Sequence, residues 1–136
     1  MILFINTASP EIITLALLDR KGNILVKKNI QAKYKQSEKL LVEIEKIIET
    51  HSNASLQELT GVIAVKGPGS FTALRIGLTT ANTMAFGLGI PVAGVMDGEF
   101  EKIAKEGVEK LKTVKSGSYV MPEYGMEPNI TIKQDK

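Results

Sequence analysis

The stretch Lys66–Gly77, KGPGSFTALRIG, holds the residues of this 136-residue chain best placed to grip a ligand. Gly67 and Gly69 flank Pro68, and Ser70, Phe71 and Thr72 lead to a lone Arg75. A glycine loop that opens a helix can hold an anion, because unpaired N–H groups at a helix start point outward. Arg75 could add a guanidinium from the first turn. The known phosphate fingerprints are not met, however. A P-loop has a lysine directly after its second glycine, and the dinucleotide pattern has a third glycine where Thr72 stands. The same residues have a plainer use. Gly67 and Gly69 permit unusual backbone angles, Pro68 stiffens the turn, and Ser70 or Thr72 caps the helix.

Other catalytic constellations are thin. There is no cysteine, which excludes disulfides and thiolate metal sites. The one histidine, His51, sits in the polar stretch ETHSNAS, at a helix end where a cation is favoured. A multi-histidine metal site and a Ser–His–Asp arrangement are both unsupported. Asp19 and Asp97 fall in turn-like contexts, and Glu43, Glu45 and Glu49 take mostly polar helix positions. No catalytic residue, cofactor site or metal site is expected, and the chain reads as a non-enzyme. Lys27, Lys28, Lys33, Lys35 and Lys39 crowd together and could touch a nucleic-acid backbone. Only Tyr34 interleaves them, so they read first as a solvated basic patch. The net charge of +2 is too weak to establish nucleic-acid binding.

Those residues must be positioned by a small α/β frame. Hydrophobic residues make up 43% and charged ones 24%, the balance of one soluble globular domain. The apolar N-terminus is broken by Asn6, Ser9, Pro10 and Glu11, so it makes a poor signal peptide. The uncharged run Ile76–Met96 contains Asn82, threonines, glycines and Pro91. Its helical part falls short of the ~20 apolar residues of a membrane span. A cytoplasmic protein is expected.

Strands are expected at residues 2–6, 12–18 and 23–30, joined by short connections into an antiparallel meander. Ser37 is the expected N-cap of a helix over 38–50, with Leu40, Leu41, Ile44, Ile47 and Ile48 on one stripe. A buried strand at 61–65 leads through the glycine loop into a helix over 72–88, closed by Gly89. A strand at 90–95 and a helix at 99–112 follow, the latter with Phe100, Ile103, Ala104, Val108 and Leu111 on one side. The order β-β-β-α-β-α-β-α implies a mixed five-stranded sheet with helices packed on it. This is the order of a ribonuclease H-like domain, the building block of actin-like ATPase lobes. The lobe is expected to span 1–112, with an irregular C-terminal tail over 113–136.

The helix over 72–88 carries no charge after Arg75. Leu74, Ile76, Leu78, Met84, Phe86 and Leu88 do not fall on one face, and Gly77, Ala81 and Ala85 form a row of small residues. A helix apolar nearly all round is covered on more than one side. The helix over 38–50 could cover part of the second side, and a partner protein the rest. The plainer alternative is tight packing of the small-residue row against the sheet.

These segments resemble a known family. GPGSFTALRIG resembles the GPGSFTGLRIG signature of the bacterial TsaB proteins, also called YeaZ. ILFINTA is similar to their ILAIDTS, KQSEKLLVEIEKII to their HSE-LLP-I helix, and GIPVAGV to their next strand. The resemblance covers residues 1 to about 105, and MPEYGMEPNIT is similar to the far C-terminal end of full-length members. It implies a non-catalytic subunit that pairs with TsaD, or with itself, through two helices of its first lobe. The expected partner interface is then Leu40, Leu41, Ile44 and Ile48 of the first helix with Ala73, Leu74, Gly77, Ala81 and Met84 of the second. TsaD attaches threonylcarbamoyl to N6 of adenosine 37 in tRNAs reading ANN codons, and the ATPase TsaE joins the pair. tRNA is met only through the complex. The resemblance also implies a chain without most of the second lobe, and so without the cleft in which actin-like proteins hold nucleotide. Asn6 stands for the usual aspartate, Gln36 for histidine and Ala73 for glycine, and MDGEF replaces an SSLE-type segment. Glutamate at Gly77 or Ala81 is expected to break pairing and leave the fold intact. Two rival readings are a small nucleotide- or phosphate-binding domain using residues 67–75, and a self-associating regulatory domain of the same pathway.

Overall fold

Short runs bounded by turn residues form three strands in succession, the first two largely buried and the third largely exposed: β1 (Ile2–Asn6), β2 (Ile12–Leu18) and β3 (Ile24–Gln31). They pair antiparallel as the meander expected from the short connections. The computed structural model describes residues 1–52 and 55–124. Helix α1 (Gln36–Ser52), strand β4 (Gly61–Gly67), helix α2 (Phe71–Leu88), strand β5 (Val92–Met96) and helix α3 (Phe100–Leu111) complete the order. β4 lies parallel to β1 and β5 parallel to β4, so the sheet runs β3-β2-β1-β4-β5. This is the mixed five-stranded α/β architecture anticipated above. Gly89 closes α2 in the left-handed conformation, at φ 68°.

The start of α1 differs from expectation. Ser37 lies inside the helix rather than capping it, and the first helical bond runs from Lys39 N–H to the Lys35 carbonyl. The cause is tertiary. Gln36 is only 6% exposed, and its Nε2 donates to the Ser9 carbonyl at 2.7 Å, fixing the helix start against the β1–β2 loop.

The sheet is covered on both faces because successive strand residues point opposite ways. On one face Leu3, Ile13, Leu15 and Val62 pack with Leu40, Ile44 and Ile48 of α1 and Leu78, Ala81 and Ala85 of α2. On the other Phe4, Ile63 and Val95 pack with Ile103, Ala104 and Val108 of α3. The Phe4 and Phe100 rings meet edge to face at 5.0 Å. Burying each such side chain stabilises the fold by about 1.5–3 kcal/mol.

The two sheet edges differ. Among the described residues β3 has no neighbour on its outer side, and most of its residues are exposed. On the β5 side, Lys110 Nζ donates to the Gly94 carbonyl at 2.9 Å. The expected tail forms no helix or strand over 113–124. It packs on the lobe all the same, and Val120 is buried in the core beneath α1 and α2. The rest of that expected tail, 125–136, lies outside the described residues. Among the described residues no helix is long and apolar enough to cross a membrane.

Lys28 of β3 and Glu43 of α1 form an ion pair at 3.0 Å that ties the open edge to the helix above it. The hydrogen bond from Lys28 holds the Glu43 carboxyl below its ordinary value of 4.5, against the opposing effect of burial. A carboxyl lowered by folding stabilises above its unfolded pKa, and that stability is lost as pH falls through the folded one. Glu43→Gln should therefore cost about 0.5 kcal/mol at neutral pH and nothing once the pH is well below 4. Urea midpoints measured across that range check it, and a constant difference at all pH values would refute the assignment.

Candidate functional site

The glycine loop is a backbone junction. β4 ends at Gly67, whose φ of 144° lies where side chains are strained. The Gly67 carbonyl accepts from Asp97 N–H at 2.7 Å, and Ser70 N–H donates to the Ala8 carbonyl at 2.9 Å. A Cβ on Gly69 would lie 2.6 Å from that same Ala8 oxygen. Ser70 takes the N-cap position, but its hydroxyl makes no capping bond. Thr72 is an exposed first-turn residue. Arg75 is exposed and lies over the Phe71 ring at 5.4 Å, while Phe71 stacks on Tyr124 at 4.6 Å. The loop residues Gly67, Pro68, Gly69, Ser70, Phe71, Thr72 and Arg75 thus join β4, the β1–β2 loop, β5 and the tail.

Two departures from the TsaB pattern meet here. Asn6 Nδ2 donates to Asp97 Oδ1 at 3.0 Å, and Asn6 Oδ1 accepts from Ala8 N–H at 2.9 Å. An aspartate at position 6 would face the Asp97 carboxylate with no proton to share. Asn6→Asp should destabilise by about 0.5–1 kcal/mol at pH 7, through the lost donor and the like-charge contact at this solvent-exposed pair. The cost should shrink as pH falls and one of the two carboxyls protonates. Asn6→Asp with Asp97→Asn should recover most of it. Thermal melts of the wild type, the two single variants and the double variant test this, and additive effects would sink the pairing.

The N-terminal turns of α1 and α2 border a cleft of about 570 Å³. Its walls include Pro10, Tyr34, Gln36, Ser37, Thr72 and Ile76. Tyr34 is 91% exposed and holds a φ of 63°, the one positive φ outside glycine among the described residues. Such a backbone costs about 1–2 kcal/mol for a residue with a Cβ. Leu41, half exposed, lies one turn beyond Ser37 on the same edge of α1. On α2 the outward stripe is Thr72, Ile76, Thr79, Thr83 and Phe86, with Phe86 81% exposed.

The expected interface residues therefore need correction. Leu40, Ile44, Ile48, Ala73, Leu74, Gly77 and Ala81 are buried inside the lobe itself. The Gly77, Ala81 and Ala85 row points inward, as the plainer alternative had it, because α2 must approach the sheet closely where Thr7 stands beneath it. Leu41 is exposed and Met84 half-buried, so they keep a share of the outer surface. The outer side of α2 carries no charge beyond Arg75 and is rich in threonine rather than uniformly apolar. Sequence reasoning missed Tyr34 as a surface aromatic and Thr79 and Thr83 as outward positions. The 3.6-residue spacing of Thr72, Ile76, Thr79, Thr83 and Phe86 was the available signal.

The lysines do not form one patch. Lys27 and Lys28 point to opposite faces, Lys27 over the Phe100 ring at 4.4 Å and Lys28 to Glu43. Lys39 donates to the Gln31 carbonyl at 2.9 Å. His51 is exposed in the last turn of α1.

Comparison with known proteins places this geometry. The family described as TsaD, tRNA N6-adenosine threonylcarbamoyltransferase, matches residues 29–109, more than half of the chain. The chain belongs to this family. The likeness to TsaB (YeaZ) proteins stands as the sequence implied. The tRNA threonylcarbamoyladenosine biosynthesis protein TsaB of Bacillus subtilis is 43% identical over 51 residues, 38% of this chain and 21% of that protein. The tRNA N6-adenosine threonylcarbamoyltransferase of Geotalea uraniireducens is 42% identical over 62 residues, 43% of this chain and 18% of that protein. YeaZ from Pseudomonas aeruginosa superposes with a TM-score of 0.62 at 25% identity, covering 71% of this chain and 43% of its own. The chain thus spans about a fifth of these curated relatives and under half of the solved structure.

Proposed function

We propose that this TsaB-like lobe is a non-catalytic docking subunit. It pairs with a TsaD-type enzyme in the threonylcarbamoylation of N6 of adenosine 37 of tRNA, in the cytoplasm. The observation that carries the reading is the outward face of α1 and α2, uncharged along α2 apart from Arg75 and built around exposed Tyr34, Leu41 and Phe86. A face depleted of charge that presents exposed aromatic side chains has the composition of a protein contact. The names of the relatives supply the pathway. A TsaE-type ATPase would join the pair through the enzyme, and tRNA would meet this chain only within the complex. The nucleotide reading of residues 67–75 is weaker, because the chain's own residues already engage that backbone on three sides.

Co-expression with a TsaD-type subunit tests the proposal. Light scattering should show a one-to-one complex, and adding the chain to a reconstituted reaction should raise the yield of threonylcarbamoyladenosine. A chain that stays monomeric beside the enzyme at tens of micromolar would refute pairing. A complex without gain of modified nucleoside would point instead to the regulatory alternative.

A further inference from the structure

Residues 118–124 lie in a groove that grips main chain more than side chains. Asn82 of α2 holds both backbone groups of Val120: its Nδ2 donates to the Val120 carbonyl at 3.0 Å, and its Oδ1 accepts from Val120 N–H at 2.8 Å. The amide thereby plays the part of a neighbouring strand. Three residues on, Glu123 N–H donates to the Lys66 carbonyl at 2.6 Å, and Lys66 Nζ meets the Glu123 carboxylate at 2.7 Å. Two glycines clear the path. A Cβ on Gly94 would lie 2.6 Å from Val120 Cγ1, and one on Gly67 would collide with the Glu123 carbonyl oxygen. Val120 is the side chain sunk into the core, while its neighbours Tyr119 and Met121 are exposed. Tyr124 ends the run on Phe71, the first residue of α2.

We propose that this groove is a peptide site for an extended segment. Ser118–Tyr124 is its intramolecular occupant, a detachable strap whose seating steadies the Gly67–Phe71 junction. A sunken apolar residue followed three positions later by an acid facing Lys66 is the pattern the groove selects. Main-chain bonds give such sites affinity, and a pocket for one side chain gives specificity. The strap has few buried contacts beside β4, which is buried along nearly its whole length. Segments of that kind open at far lower free energy than the core. Thr113–Gly117, largely exposed and with Gly117 at φ 96°, supplies the hinge. The proposal is independent of pairing through α1 and α2.

Native-state hydrogen exchange on the full chain tests it first. The Val120 and Glu123 amides should exchange together, at least 100-fold faster than those of Val62–Val65. Equal protection of the two groups would overturn the strap, since it would then open only with the whole fold. Fluorescence anisotropy supplies the second arm, using a labelled Ser118–Tyr124 peptide and full-length Val120→Asp, which ejects its own segment. The peptide should bind that variant and not the one that also carries Asn82→Ala. No binding to the first variant, undiminished binding to the second, or loss of fold in Val120→Asp would each overturn the proposal.

Discussion

Gly77→Ala will lower the stability of the lobe by about 3 kcal/mol, at the upper end of what overpacking a core costs. The new methyl would collide with Thr7 Oγ1 and stand 2.9 Å from Thr7 Cγ2. Thr7 is 1% exposed, and its hydroxyl donates to the Ala73 carbonyl at 2.7 Å, one turn before Gly77. It cannot turn aside without breaking that buried bond. Thr7→Ala alone should cost about 1 kcal/mol for the lost bond. The two together should cost less than Gly77→Ala alone, because the space vacated by Thr7 admits the methyl. That negative coupling is the signature of direct contact. Denaturant titrations of the four proteins measure it. Simple additivity would show that α2 adjusts elsewhere. Glutamate at Gly77 or Ala81 should likewise fail to fold, so neither change reports on docking as the sequence alone suggested.

Leu41→Glu combined with Thr79→Glu should abolish pairing with a TsaD-type subunit and leave the fold unchanged. Both positions are exposed on the outward sides of α1 and α2. Surface changes of this kind usually move stability by no more than about 0.5 kcal/mol. Buried at a contact, each new carboxylate lacks a partner and costs several kcal/mol. A combined loss of about 3 kcal/mol already weakens association more than 100-fold. The matched measurements are the melting temperature of the isolated variant and its retention by immobilised enzyme. Wild-type retention by a folded double variant would remove α1 and α2 from the docking surface.

Much of this lobe is legible in the sequence because its signals are local. The short apolar runs of β1 and β2, the stripe of α3 and the closing Gly89 each reflect composition, a period or a backbone angle within one element. Features that depend on distant residues were not legible. Gln36 opens α1 because of a bond to Ser9, and Val120 enters the core because Asn82 and Gly94 receive it. Periodicity marked α2 as apolar on several sides but could not say which side met the sheet. Thr7, far off in sequence, decides that by demanding a glycine opposite. The loop was read as either an anion cradle or a turn. Its contacts to Ala8, Asp97 and Glu123 show why two glycines stand there.

The bare outer rim of β3 has a bearing on handling and longevity. An eight-residue edge strand, unpaired on one side among the described residues, invites recruitment of foreign strands, the first step of ordered aggregation. Here Lys27 and Lys28 stand side by side at mid-strand and project to either side of it. Any approaching chain must bring acidic groups or strip two ammonium ions of water. Chemical neutralisation of those amines, as by acetylation, would take away that guard and with it the Lys28–Glu43 pair that ties the edge to α1.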